Sequence, residues 1–306
     1  MSDSIKGSLS VLLGAFLISF SPVFVGLVTL EPSVSAFYRV FFGSIVLIFI
    51  LVFKRKIRIN FKKVSKFLLL AGVFFSINLW FFHRSVEFVG PGLATLLSNL
   101  QVLIVPFIAY FLFGDLPKRG QKFSLALSVV GLFLCLGNNL RIFGSDYQIG
   151  ILLGILCAVA YSCYLISLKR ANLYKNEQTD PFYNLMIVSL IASFILFIVV
   201  FVEGNNFAFG NSENLWLMVA YGTVSHVLGW YFIISGIQKI STVSVGIILI
   251  SQPVFSFLWD VLLFNRIITQ MEIFGILIVL LAMIICIKSE DQVCLLYTSP
   301  SPRDRG

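Results

Sequence analysis

Charged residues are scarce in this chain: Asp, Glu, Lys and Arg together make up 12% of it. A water-soluble domain carries about 25%, and no water-facing surface can be assembled from so few. The five cysteines lack the paired spacing of a metal or redox site. Cys135, Cys157, Cys163 and Cys286 lie inside apolar runs, where cysteine is a small helix-packing residue. No Gly-rich phosphate loop, His-Glu-x-x-His or Gly-x-Ser-x-Gly motif occurs. The sequence therefore points away from an enzyme, and no metal or cofactor is expected. No soluble domain is present to hold ATP, which argues against a nucleotide-driven pump.

Apolar residues are in surplus. The chain is 58% hydrophobic with a mean hydropathy of +0.98, and the surplus must face lipid, as in a polytopic membrane protein. The net charge of +8 is one that nucleic-acid binders also carry. Here the basic residues cluster between apolar stretches, so the expected surroundings are a bilayer and no nucleic acid.

A membrane-crossing helix needs about 20 mostly apolar residues. Ten stretches qualify: 8–30, 33–53, 67–88, 92–113, 121–139, 147–168, 183–203, 213–236, 241–263 and 268–288. The breaks are polar, as in "KRKIRINFKK" and "KRANLYKNEQTDP". Spans this long and uniformly apolar are helices rather than barrel strands. The opening residues read as a retained first span, since no small-residue cleavage site follows them. If the N-terminus is cytoplasmic, 16 Lys and Arg fall inside, and Arg84, Arg141 and Arg266 outside. Both termini are then cytoplasmic, and a bacterial plasma (inner) membrane is the expected location. The string "CLLYTSPSPRD" (Cys294 to Asp304) matches one translated frame of a transposase sequencing adapter. Residues 293–306 are therefore expected to be non-native.

A shift of 150 residues lays "LWFFHRS" (Leu79–Ser85) on "GWYFIIS" (Gly229–Ser235), pairing Trp80 with Trp230. The same shift places Asp115 on Asn265. An internal duplication follows, with units 1–140 and 141–292. Each unit has five spans, an odd number, so the second copy enters the membrane inverted. The expected fold is all-α: ten transmembrane helices in two inverted five-helix repeats around a central cavity, the plan of many secondary transporters.

The stretches "GPGLATLLSNLQVLIVPFIAYFLFGD" and "ISQPVFSFLWDVLLFN" resemble the fourth- and ninth-span signatures of the drug/metabolite transporter superfamily, EamA type. The resemblance implies a helical basket with a cavity lined by spans one, three, four, six, eight and nine. It also implies export of small metabolites, often amino acids or related compounds. Asn265 stands where that family usually has Glu.

Polar groups inside spans are costly and mark function or helix contacts. Asn99, Gln101 and Gln252 are candidates for the substrate path, or amide links between helices. Trp80 and Trp230 are candidate cavity walls, or interfacial anchors. Tyr161 and Tyr164, with Ser19 and Ser21, can bond a solute or backbone carbonyls. His226 is either a satisfied core histidine or a proton-linked group. Arg39, His83, Arg84, Glu87 and Asp260 form a candidate outer gate. Arg84 is expected to alternate between Glu87 and Asp260; a snorkelling Arg84–Glu87 pair is the plain alternative. Pro22 is expected to kink span one. The leading expectation is a secondary transporter of a small neutral or zwitterionic organic metabolite, as monomer or homodimer. A channel-like or structural bundle is the alternative, and a membrane-embedded lipid enzyme a third.

Overall fold

The computed structural model describes residues 3–54, 65–114, 117–136, 145–173, 180–264 and 269–298. Asp115, Asn265, Arg141, Arg266 and most of the basic loop between spans two and three lie outside the described residues. No strand occurs among them. Among the described residues, nine helical stretches are long and apolar enough to cross a membrane. The tenth expected span, 121–139, begins as α7 (Arg119–Leu136), and its far end lies outside the described residues. The chain is an integral membrane protein.

Spans two, three, six, seven and ten are single helices: α3 (Pro32–Phe53), α4 (Lys66–Val89), α8 (Ser145–Leu173), α9 (Pro181–Val202) and α14 (Gln270–Thr298). Three spans are broken. Span one is α1 (Asp3–Ile18) and α2 (Ser21–Leu27); span four is α5 (Pro91–Ser98) and α6 (Gln101–Phe113); span nine is α12 (Thr242–Leu249) and α13 (Ser251–Phe264). Span eight runs as α10 (Ser212–Ala220), a π-helical stretch (Tyr221–Leu228) and α11 (Gly229–Ile237).

Two of the breaks have the same cause. A proline has no N–H to give the carbonyl four residues back, and its ring crowds that carbonyl. Pro22 lies four residues after Ile18, where α1 stops, and Pro253 lies four after Leu249, where α12 stops. In span four, the Asn99 side chain takes the Thr95 carbonyl at 2.8 Å, and backbone bonds such as Leu100 to Leu97 tighten the turn. The expected kink at Pro22 is thus a full interruption.

The contacts between spans follow the symmetry of an inverted duplication. Span three packs on six, and its mate, span eight, packs on one. Span three also packs on seven, and eight on two; five packs on ten, and four on nine. Adding five to each span number turns one contact into another. Lipid supplies no hydrophobic drive between helices, so close backbone approach matters. Gly14 and Gly229 meet so tightly that a Cβ on Gly14 would lie 2.7 Å from the Gly229 carbonyl oxygen. Seven residues away on each helix, Gly7 meets Gly236.

Side chains are sorted inside out. Phe53, Phe111 and Phe201 project outward, 84%, 68% and 74% exposed, into what would be lipid. Arg39, Asn99, Gln101 and both histidines are buried.

Candidate functional site

The broken spans face one another. On the face away from the N-terminus, α2, α5 and α13 pack together. On the terminal face α6 packs on α12. Between the two layers lies a cavity of ≈ 30 Å³. That is room for about two water molecules, too little for a metabolite.

Its walls come from both repeats: Ser21 on α2, Arg39 on α3, Asn78 on α4, Ser98 on α5, Tyr161 on α8, Trp230 on α11 and Gln252 on α13, with Phe75 and Phe82 between them. Four of the expected path and gate residues therefore share one space: Tyr161, Trp230, Gln252 and Arg39. The Tyr161 hydroxyl, Trp230 Nε1 and Gln252 Oε1 are buried without a hydrogen-bond partner. Tyr164 lies one layer deeper, its ring 4.6 Å from Phe75 and 4.7 Å from Trp230.

Arg39 stands away from the expected gate. It enters α3 eight residues from the start, and its guanidinium turns onto the cavity wall, 4% exposed. Nη1 donates to the Tyr221 hydroxyl at 2.9 Å, and the guanidinium lies 4.7 Å from the Tyr221 ring centre and 6.0 Å from that of Phe75. His83 approaches the same hydroxyl through Nε2 at 3.4 Å. His83 thus belongs to the Arg39–Tyr221 cluster rather than to the opposite face. The π-helical stretch positions Tyr221. Gly222 beside it touches span two so closely that a Cβ would lie 2.8 Å from the Gly43 nitrogen.

His226 is fully buried, bonded through Nε2 to the Ser189 hydroxyl at 2.7 Å and stacked on Phe75. Asn99 is buried at the span-four break. Gln101 donates to the Gly246 carbonyl at 3.1 Å and links spans four and nine. Neither amide lines the cavity.

The opposite face is held by a different group. Arg84 Nη2 meets Glu203 Oε1 at 2.8 Å, at the end of span seven. Trp80 Nε1 donates to the same oxygen at 2.9 Å, and Ser33 and Asn205 bond the other carboxylate oxygen. Trp80 thus belongs to the Glu203 cluster and does not line the cavity. Of the partners expected for Arg84, Glu87 is exposed, and the side chain of Asp260 lies outside the described residues. Burial raises the Glu203 pKa, but the hydrogen bonds from Ser33, Trp80 and Arg84, with the Arg84 charge, win and leave it below the ordinary carboxylate value. A second link lies at the span-one break, where Trp259 Nε1 donates to Ser19 Oγ at 2.8 Å. On the terminal face Lys169 Nζ donates to the Ile240 carbonyl at 2.9 Å, and Gln121 Nε2 reaches Ser241 and Ser244.

Tyr221, Asn78 and Glu203 are among the residues of this arrangement that the sequence reading does not single out. Asn78 had a signal, as an amide in the middle of an apolar span. It donates to the Cys157 carbonyl at 3.2 Å and ties span three to span six. Glu203 follows directly on the last apolar residue of span seven, where an acid reads as ordinary loop. Nothing in sequence spacing places Tyr221 against Arg39.

The same two-part organisation appears in comparison with known proteins. No curated protein matches the chain. A solved structure, "Crystal structure of protein", is 17% identical with a TM-score of 0.73, over 94% of this chain and 98% of its own. At that identity the likeness shows the fold alone. The model of the EamA-like transporter family matches residues 5–137 and again residues 148–287. With both halves matched, the chain belongs to the EamA-like transporter family, within the drug/metabolite transporter superfamily.

Proposed function

We propose that this protein is a secondary transporter that moves a small neutral or zwitterionic organic solute by alternating access. One observation carries the reading: a central cavity, lined by buried side chains, is walled by both inverted repeats and by three interrupted helices. Interrupted helices at a repeat interface are where transporters bind solute, and rocking of one repeat or bundle against the other around that site is how they alternate access.

The cavity walls favour an organic solute. Phe75, Phe82, Tyr161 and Trp230 supply aromatic surface, and Asn78, Ser98 and Gln252 supply neutral polar groups. A multivalent phosphate would call for several cations, and Arg39 is the one cation on these walls. The excess of Lys and Arg in the loops on the terminal side supports a cytoplasmic position for both termini, and export is what the family likeness suggests.

The test is counterflow in proteoliposomes. The purified protein is loaded with unlabelled solutes from a panel of amino acids, amines, monocarboxylates, sugars and sugar phosphates. Saturable uptake stimulated by the same solute on the far side is expected. Non-saturating leakage without that stimulation would show a channel, and best transport of a sugar phosphate would overturn the solute class.

A further inference from the structure

Arg39 is a guanidinium without a counter-ion. Among the described residues no carboxylate pairs with it; its one hydrogen bond is to Tyr221, and its Nε has no acceptor. Glu203 is occupied by Arg84, Trp80, Ser33 and Asn205. A buried charge without a partner is strongly unfavourable, and inside a membrane such residues are functional by default. The rings of Tyr221 and Phe75 offset part of that cost by cation–π attraction. They do not satisfy the remaining N–H donors.

We propose that Arg39 is the seat of a substrate carboxylate. The inference rests on the transport reading and narrows it to solutes that carry a carboxylate. The planar fork of a guanidinium matches a carboxylate with two parallel hydrogen bonds, and Nε is one of the donors left free. Arg39 also lines the one cavity shared by the two repeats, so a solute bound there reaches it directly. The rest of the lining sets the other end of the molecule. Among the described residues no Asp or Glu lines the cavity, so a simple cation finds no carboxylate partner among them. Gln252 presents Oε1 without a donor, which suits the ammonium of an amino acid. Phe75, Phe82 and Trp230 suit an apolar side chain. The substrate class is a zwitterionic amino acid with an apolar side chain, held at its carboxylate by Arg39 and at its ammonium by Gln252.

The same geometry links substrate binding to movement of the helices. Tyr221 holds Arg39 by a neutral hydroxyl, a partner that a carboxylate can displace because a charge-assisted bond is stronger. Binding then frees Tyr221 on the π-helical stretch of span eight, next to the close contact between Gly222 and Gly43. Carboxylate binding and rearrangement of spans two and eight are thereby linked at one hydroxyl.

The experiment uses the full chain in proteoliposomes with matched solutes: L-leucine, L-leucinamide and 3-methylbutylamine, each in counterflow. Wild type is expected to prefer leucine over leucinamide by at least tenfold. Arg39→Gln is expected to lower that ratio to about one, mainly through leucine affinity, and Arg39→Lys to restore part of it. Far-ultraviolet circular dichroism and thermal unfolding in detergent check that the variants fold. If they do not, the wild-type ratio still decides. Equal handling of leucine and leucinamide by wild type overturns the carboxylate seat while leaving transport standing. A preserved ratio in folded Arg39→Gln does the same. Absence of flux for all three solutes, and for the wider panel, overturns the transport reading itself.

Discussion

Arg84 and Glu203 lie 2.8 Å apart on the face away from the N-terminus, and through that carboxylate spans two, three and seven are joined. The acid accepts from Arg84 and Trp80 on one oxygen and from Ser33 and Asn205 on the other. Four donors on one carboxylate make it the natural place to weaken that face without touching the cavity.

Glu203→Gln removes the charge and leaves the size. Exposed and half-exposed ion pairs contribute about 1 kcal/mol or less, so a small fall in thermal stability is expected. The larger effect is on access. A cysteine at Phe82, on the cavity wall, should label faster with a membrane-impermeant maleimide added from the opposite face. Transport should change in maximal rate more than in solute affinity. Unchanged labelling and unchanged rate would make the cluster a passive anchor.

The Glu203 cluster also has a pH signature. Net hydrogen bonding holds the Glu203 carboxyl below its ordinary value despite burial. A depressed folded-state pKa contributes stability above the unfolded value, about 4.3 for Glu, and that stability is lost as pH falls through the folded value. The melting temperature of wild type should therefore exceed that of Glu203→Gln by a constant margin from pH 8 to 5. The margin should shrink at lower pH. A margin that grows on acidification would contradict the assignment.

Glycine positions separate contact from propensity. Gly14→Ala places a Cβ 2.6 Å from Ile233 Cγ1 and 2.7 Å from the Gly229 oxygen. It should cost about 1–3 kcal/mol, as overpacking does, and lower the melting temperature. At Gly246 the nearest atom to a new Cβ is 3.5 Å away. Gly246→Ala should be neutral or stabilise by about 0.5 kcal/mol through the unfolded chain. Equal effects at the two sites would contradict the helix contact between spans one and eight.

His226 is predicted to be structural. Its Nε2 is bonded to Ser189 and its ring stacks on Phe75. Ser189→Ala strands that nitrogen and should destabilise by about 1–3 kcal/mol. His226→Gln should leave the ratio of transport rates at pH 6 and pH 8 as in wild type. A lost pH response would make His226 part of a proton path.

The fold was largely readable from the chain because its signals are long-range averages. Hydropathy marks spans, odd span number per repeat forces inversion, and Pro22 and Pro253 mark breaks through a covalent constraint. The site was less readable, because facing across helices is decided by phase. Trp80 and Trp230 align in the repeat, yet the first is bonded to Glu203 and the second walls the cavity. Span eight carries a π-helical stretch before Trp230 and span three has none before Trp80, which shifts the phase of the residues that follow. Arg39 was misplaced for a related reason. Its Cα is about 10 Å from the end of its helix, but its long side chain points to the cavity and not to that end.

Alternating access is the centre of this account, and paired distances test it most directly. Spin labels at Leu27 and Leu262, both exposed, report the separation of α2 and α13 on the face away from the N-terminus. Labels at Lys122 and Lys239, also exposed, report the terminal face beside the Gln121–Ser241 bond. With L-leucine titrated into the protein in nanodiscs, the two distances should change in opposite senses, one pair separating as the other closes. Joint lengthening of both pairs, or no change in either while solute is transported, would contradict the account.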